Sequence, residues 1–358
     1  MKCCCLLFLF LATFSKPHAQ NLFKNPSLGA RFFFGSFLTR LPKAQYLRDS
    51  YSYFGELALQ QQTDGRKEWQ RANGLPQVGV ALQFGNTGSK QYMGNMAALF
   101  PFVNWNLYKR KTISSSLRAG AGLGWVQKPY DKITNHKQVL IGTHLNAYLN
   151  FLWQAEVQTF SNVHMTVGVG FSHFSNGSTT LPNLGLNIPS LSIGLRYGLH
   201  DSVQQKQAAP PFIKRTAFSL YTSVGIKQYP WIESTRYAVN VVQGEWSRRF
   251  RASAQYSFGG ALFYDRALEV DPAGIPDHLR KGNKLQAGVF AGYEHLFGRL
   301  SVPLQIGAYV YNHNIYTALF QQLGFRYRIN QQWTAQLFMK THSGKADFIH
   351  AGIGYRIN

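Results

Sequence analysis

The chain has 358 residues, of which 37 are Lys or Arg and 15 are Asp or Glu, so its formal net charge is +22 at pH 7. Its 3 cysteines all lie at positions 3–5, so the rest of the chain contains no disulfide, no thiol nucleophile and no cysteine metal site. Aromatic residues make up 15% of the chain and glycine occurs 33 times, which is typical of many strands of alternating polarity.

Residues 1–20, MKCCCLLFLFLATFSKPHAQ, have the pattern of a cleaved signal peptide. Lys2 precedes an apolar core from Cys3 to Phe14, and Ala19 lies near a plausible cleavage point. The apolar core is shorter than the ~20 residues that a spanning helix needs. We therefore expect an exported protein that begins at about residue 21.

The positive charge of an exported protein has two interpretations. One is a polyanionic partner, for which the phosphates of lipopolysaccharide are the natural candidate and nucleic acid is not expected. The other is a generally basic surface. The sequence alone leaves both open.

Period-two alternation recurs along the chain. Apolar residues occupy the odd positions of 163–171, 191–199 and 349–357 and the even positions of 302–310, while the intervening positions are small or polar. Because side chains two apart in a strand lie on one face, each segment predicts a strand with one apolar face. We expect about 14–16 strands in all.

A soluble β-sandwich would alternate in the same way, but three features favour an antiparallel transmembrane β-barrel. The polar faces are rich in glycine, aromatic residues cluster near strand ends, and short and long connections alternate. Short connections are expected at 109–112, 160–162, 248–249, 298–299 and 330–331, and long ones at 39–50, 127–137, 176–186 and 267–281. In bacterial barrels the short connections face the periplasm and the long loops face outward.

A polar connection at 200–211 divides the chain into halves. Neither half has a composition of its own, so we interpret residues 21–358 as a single outer-membrane barrel. Closing the sheet removes unpaired edges that lipid could not satisfy.

Three polar residues share the apolar face at one end of the predicted strand 163–175. His173 and Ser175 are two apart, about 6.5–7 Å between Cα atoms, so the imidazole can reach the hydroxyl. Asn187 begins the same face on the return strand and could hold the histidine tautomer. The backbone amides of the tight turn at Asn176 and Gly177, together with the Asn176 side chain, could supply an oxyanion hole. A polar strand end entering an Asn-Gly turn explains the same residues equally well.

The stretch His173-Phe-Ser175-Asn176, followed by Pro182-Asn183-x-Gly185 and the alternating SLSIGLRYGL, resembles the lipid A 3-O-deacylase (PagL-type) family, also described as acyloxyacyl hydrolases. These are outer-membrane barrels that hydrolyse an ester-linked acyl chain of lipid A. The resemblance covers about 28–199. It implies Ser175 as the nucleophile and His173 as the general base. It also implies an oxyanion hole at Asn176, Gly177 and Ser178.

Two departures from the family pattern bear on activity. The best-known members have a glutamate where this chain has Asn187, and an amide stabilises an imidazolium less than a carboxylate does. Glu156 is a poor substitute, because it pairs about seven residues below His173. The known small barrel has eight strands, and this chain has material for about twice that number, with no evident chemistry in its second half.

The resulting hypothesis is an outer-membrane serine esterase that deacylates lipid A, with Ser175, His173 and Asn187 as its catalytic residues. Lys128, Lys132 and Lys137 are either contacts for the lipid phosphates or solvated loop charges. No metal or other cofactor is expected. The alternatives are a non-catalytic barrel, as a pore or structural protein, and an esterase that acts on another lipid.

Overall fold

Sixteen antiparallel strands form in the part of the chain that the computed structural model describes, which is residues 26–39, 41–199, 212–229, 231–232, 234–269, 284–312 and 317–357. The expected signal peptide at 1–20, the connection at 200–211 and most of the long connection at 267–281 lie outside these residues. No helix in the described ranges has the length and apolarity needed to cross a membrane.

The first eight strands close into a barrel, because β8 returns to pair with β1. The strands are β1 (Pro26–Gly35), β2 (Ser52–Gln62), β3 (Gln77–Asn86), β4 (Asn95–Lys109), β5 (Ile113–Val126), β6 (Leu145–Gln158), β7 (Val163–Ser175) and β8 (Leu186–Gly198). A 3₁₀ turn at Pro42–Leu47 follows β1, and the short helix α1 (Glu68–Ala72) follows β2.

The last eight strands close into a second barrel through pairing of β16 with β9. They are β9 (Thr216–Gln228), β10 (Arg236–Arg251), β11 (Ala254–Asp265), β12 (Leu285–Phe297), β13 (Leu300–Tyr311), β14 (Leu319–Arg328), β15 (Trp333–His342) and β16 (Lys345–Ile357). A 3₁₀ turn at Arg266–Glu269 follows β11.

The all-β antiparallel barrel architecture and the strand number are thus confirmed, but the single barrel at 21–358 is wrong, since each set of eight strands closes on itself. Both halves alternate in the same way, so alternation could not reveal where the sheet closes. The boundary falls between Gly198 and Thr216, around the connection at 200–211. One turn is also displaced: Arg248 and Arg249 belong to β10, and the connection follows at 252–253.

The expected faces are present. On β7, Val167 and Val169 are 53% and 52% exposed, as lipid-facing side chains should be. Buried apolar side chains fill the interior of the first barrel, including the stacked rings of Phe33 and Phe54. Phe263 is one of the buried side chains inside the second barrel. Eight strands leave room for side chains but not for a wide channel. The wide lumen of the pore hypothesis does not form from the described strands.

The two barrels contact each other at both ends. At the end with the short connections, Asn73 Nδ2 donates to Leu296 O at 3.1 Å, and Trp69 packs against Phe297 with ring centroids 6.2 Å apart. At the opposite end, the loop that follows β7 contacts β9, β10 and β16.

Candidate active site

The upper end of β7 carries two of the expected site residues on its outward face. His173 continues the row of lipid-facing side chains and is half-buried. Ser175 ends the strand and is only 5% exposed, because the connection at 176–185 folds over it. The serine therefore lies beneath its own loop rather than open to the bilayer.

Asn187 lies directly across the hairpin from His173, as the sequence predicted. The two residues are register partners on β7 and β8, and His173 Nδ1 is 2.7 Å from Asn187 Oδ1. Because the amide oxygen can only accept, this contact places the proton on Nδ1 and leaves Nε2 unprotonated in the neutral ring. Leu38 N–H donates to the Asn187 carbonyl at 2.8 Å, which fixes the strand at this point.

Two N–H groups converge on the Ser175 hydroxyl. The Gly177 amide donates to Ser175 Oγ at 3.2 Å, and Asn183 Nδ2 donates to the same oxygen at 3.0 Å. Asn183 Oδ1 accepts from the Asn176 amide at 3.0 Å and from the Ser175 hydroxyl at 3.2 Å, so the asparagine side chain is held on both sides. These donors favour negative charge on or near this oxygen.

The turn after Ser175 has an unusual backbone. Gly177 and Ser178 have φ of 64° and 63°, and Thr179 N–H donates to Asn176 O at 3.4 Å. Two left-handed central residues are the pattern of a type I′ turn, which an Asn-Gly sequence favours. A Cβ atom at Gly177 would also lie 2.3 Å from Ile349 Cδ1 on the second barrel. Only glycine suits this position.

The Asn176 side chain is engaged in holding the loop. Its Nδ2 donates to Thr180 O at 2.8 Å and to Thr143 Oγ1 at 3.2 Å. Both of its amide hydrogens are therefore committed within the loops in this structure. The backbone amides of the turn remain the expected groups for an oxyanion.

Residues of the second barrel form hydrogen bonds with the same loop. Gln228 N–H donates to Ser178 O at 2.9 Å, and Gln228 Oε1 accepts the Leu181 amide at 2.6 Å. Ser178 Oγ donates to Ala346 O at 2.8 Å. Arg236 adds bonds of 3.1 and 3.0 Å to the next two residues of the loop, at Thr179 O and Thr180 Oγ1.

Two groups of interest identified from the sequence lie away from the serine. Glu156 is deep in the barrel and binds Arg196 Nη2 at 2.7 Å. Lys128 is in the loop at 127–144, where its Nζ donates to Lys90 O at 3.0 Å, and Lys132 and Lys137 lie exposed in the same loop. Among the residues the structure describes, no three His, Cys, Asp or Glu side chains cluster as metal ligands would.

Two carboxylates in the outer loops accept hydrogen bonds from loop residues. Burial would raise the pKa of Asp49, but the backbone amides of Gln91 and Lys90, at 2.8 and 2.9 Å, hold the pKa below its usual value. The amide and hydroxyl of Thr134, at 2.7 and 2.8 Å, likewise lower the pKa of Asp131. Both carboxylates therefore order their loops when ionised.

Sequence reasoning missed Asn183 and the second-barrel contacts. Asn183 was present in the quoted motif, but its reach to Ser175 depends on the fold of the loop. Gln228 and Arg236 are 53 and 61 positions from Ser175, and no sequence pattern connects them to it.

Each half of the chain matches the model of a known protein family. Residues 53–196 match the family model of lipid A 3-O-deacylase (PagL), and residues 216–358 match that of the acyloxyacyl hydrolase C-terminal domain. The first match lies within the first barrel and within the 28–199 segment of the resemblance. The second covers the second barrel. Together the two matches account for most of the chain. No curated protein matches it.

Two similar solved structures each cover about half of this chain. Neisserial surface protein A has 10% identity and a TM-score of 0.35, over 49% of this chain and 97% of its own. The outer-membrane enzyme PagL has 16% identity and a TM-score of 0.31, over 46% of this chain and 97% of its own.

Proposed function

Because this chain belongs to the lipid A 3-O-deacylase (PagL) family, we propose that it deacylates lipid A in the outer membrane by serine ester hydrolysis. The observation that carries the proposal is the hydrogen bond of 2.7 Å between His173 Nδ1 and Asn187 Oδ1, two residues from a serine hydroxyl that receives two N–H donors. A strand end that merely becomes polar before a turn would need neither arrangement.

In the proposed reaction, Ser175 Oγ attacks the ester carbonyl and His173 Nε2 takes the hydroxyl proton. Asn187 keeps the opposite ring nitrogen protonated and turned away from the serine. When the tetrahedral intermediate collapses, the bond to the sugar oxygen breaks and His173 returns the proton to it. Water then attacks the acyl-enzyme with His173 again as base, which releases the fatty acid and restores the serine.

The developing oxyanion is assigned to the turn after the nucleophile. The Gly177 amide already points at Ser175 Oγ, and the amide of Ser178 follows it in the same left-handed turn. The neighbouring Asn176 contributes by holding the loop closed. We add Asn183 as a further donor, since its NH₂ group lies 3.0 Å from Ser175 Oγ. Preorganised donors of this kind are each worth roughly 10²–10³ in kcat.

The second barrel positions the catalytic turn in this account. A non-glycine residue with positive φ, such as Ser178, costs roughly 1 kcal/mol, which surrounding contacts must offset. Gln228 and Ala346 bind both the carbonyl and the hydroxyl of that residue. Gln228 and Arg236 are therefore positioning residues, because they contact the loop and not the reacting atoms.

The location of the site suits a lipid substrate. The half-buried ring of His173 lies on the outer wall of the barrel, so an ester of a lipid within the leaflet can approach without being lifted into water. Exposed Lys132 and Lys137, with Lys128 beside them, are candidates to bind the lipid A phosphates. Export through the signal peptide at 1–20 is part of the same proposal.

The nucleophile can be tested with a fluorophosphonate, which phosphorylates activated serines. We expect labelling of the folded protein at Ser175, confirmed by peptide mass, and none in Ser175→Ala. His173→Gln should reduce the labelling rate by about a hundredfold or more, because the general base is lost. Ser172→Ala, which alters an inward-facing serine on the same strand, is the matched control. Equal labelling of Ser175→Ala and the native protein would refute the assignment.

A further inference from the structure

The second barrel has a strongly cationic mouth at the end with the short connections, opposite the candidate active site. A cavity of about 70 Å³ opens there. Six arginines line it. One of them, Arg326, is paired with Glu245, and we call the other five the arginine ring: Arg215, Arg249, Arg299, Arg328 and Arg356.

The ring is built into the inward face of the barrel. On β10 the inward positions Glu245 and Ser247 are buried, and Arg249 is the next residue of that face. On β14 Arg328 follows the buried Arg326 in the same way, and on β16 Arg356 continues the inward row. The alternation of three strands therefore places Arg249, Arg328 and Arg356 in one layer at the end of the inward face, and Arg215 and Arg299 lie next to strand ends at the same mouth.

Elsewhere in the described barrels, inward-facing arginines are matched with carboxylates. The pairs are Arg31 and Arg118 with Glu56 at 3.0 and 2.7 Å, Arg196 with Glu156 at 2.7 Å, and Arg326 with Glu245 at 2.8 Å. Each of these inward-facing arginines therefore forms an ion pair with a carboxylate inside its barrel.

The described residues provide no such carboxylate partner for the arginine ring. Glu294 also lines the cavity, but it binds Arg326 Nη1 at 3.0 Å and the side chains of Gln255 and Ser301. Among the described residues no carboxylate forms an ion pair with a member of the ring, and Glu68 and Glu294 act on Arg249 and Arg328, respectively, only at longer range.

The hydrogen bonding of the ring is also incomplete. Arg249 and Arg328 donate to the backbone carbonyls of Ala252 and Gly298, at 2.7 and 2.6 Å. The Nε atom of Arg249 is buried and has no hydrogen-bond partner. A buried donor without an acceptor and several like charges around one cavity both raise the free energy of the empty mouth. A bound anion would relieve both.

We propose that the arginine ring binds a phosphate group, either as free phosphate or as the head group of an anionic phospholipid. Guanidinium groups match phosphate oxygens with paired donors, and a phosphate can accept from several of them at once. The mouth lies at the end expected to face the periplasm, where phospholipid head groups of the inner leaflet are available. This site is separate from the ester-cleaving one, and its binding does not depend on the proposed hydrolysis.

The test is ligand binding by the full chain in detergent, with native mass spectrometry for phosphatidylglycerol and calorimetry for inorganic phosphate. Arg328→Gln/Arg356→Gln removes two members of the ring. Arg248→Gln changes an outward-facing arginine on β10 and is the matched control. A gel assay of heat-modifiable migration confirms that each variant is folded.

We expect the ring variant to bind at least about tenfold more weakly than the native protein, and the control to bind as the native protein does, because each charged hydrogen bond lost is worth about that much. Retention of phosphatidylglycerol that excess inorganic phosphate does not displace identifies a lipid head group. Binding of inorganic phosphate alone identifies a free-phosphate site. Absence of both ligands from the native protein, or equal binding by native and ring variant, would overturn the proposal.

Discussion

Replacing Asn187 with aspartate isolates the effect of charge on the candidate general base. Aspartate has the same length as asparagine, so one carboxylate oxygen would stand where Asn187 Oδ1 stands, 2.7 Å from His173 Nδ1. Two unit charges about 4 Å apart interact by about 4 kcal/mol at an effective dielectric constant of ~20. Both residues are half-buried, and solvent screening reduces this to roughly 1.4 kcal/mol in favour of the imidazolium, the lower end of what a neighbouring opposite charge contributes.

An energy of about 1.4 kcal/mol corresponds to about tenfold in rate. We therefore expect Asn187→Asp to raise kcat for fatty-acid release about tenfold at pH values where the base is neutral. The acid limb of the pH–rate profile should move to higher pH, because the carboxylate makes the imidazole harder to deprotonate. Asn187→Leu, which cannot accept the Nδ1–H bond, should lower kcat.

The control is Asn95→Asp, which adds the same charge at an exposed position at the start of β4. It should leave both kcat and the profile unchanged. If Asn187→Asp and Asn187→Leu both behave like the native protein, Asn187 does not act on the base and the assignment of the three catalytic residues is wrong.

Three further changes test the surrounding structure. Glu56→Gln should lower the free energy of unfolding in urea by about 3–5 kcal/mol, because it leaves the buried Arg118 without its carboxylate, whereas a change under about 1 kcal/mol would contradict the interior pairing. Because the pKa of Asp49 is lowered in the folded protein, its stabilisation of the outer loops is complete above the unfolded-state pKa and is lost as pH falls through the folded-state pKa. In the native protein, hydrogen exchange in these loops should therefore speed up at acid pH, and Asp49→Asn should remove this pH dependence. Gln228→Ala should lower kcat several-fold at unchanged KM by loosening the Ser178 turn, and a rise in KM alone would contradict a positioning role.

Much of the site was predictable because it depends on short-range geometry. His173 and Ser175 are two apart in one strand, and Asn187 follows after a single loop, so period-two alternation was enough to place all three on one face. The register pairing of His173 with Asn187 then follows from the hairpin. The roles of these residues remain predictions, since they depend on chemistry that geometry alone does not measure.

The parts that were not predictable depend on long-range closure. Alternation describes each strand but not its non-sequential partner, so one barrel of sixteen strands and two of eight share the same pattern. The pairings that decide between them, such as Leu28 with Tyr197 and Ile353 with Thr222, join the ends of each half. Contact between Ser178 and Gln228 follows only once both barrels exist.

The central claim is that Ser175 cleaves an acyl ester of lipid A, and mass spectrometry of lipid A incubated with the purified protein tests it most directly. The account predicts that the native protein removes one hydroxyacyl group and that Ser175→Ala, folded by its heat-modifiable migration, removes none. Unchanged lipid A with folded native protein, or equal deacylation by Ser175→Ala, would contradict it.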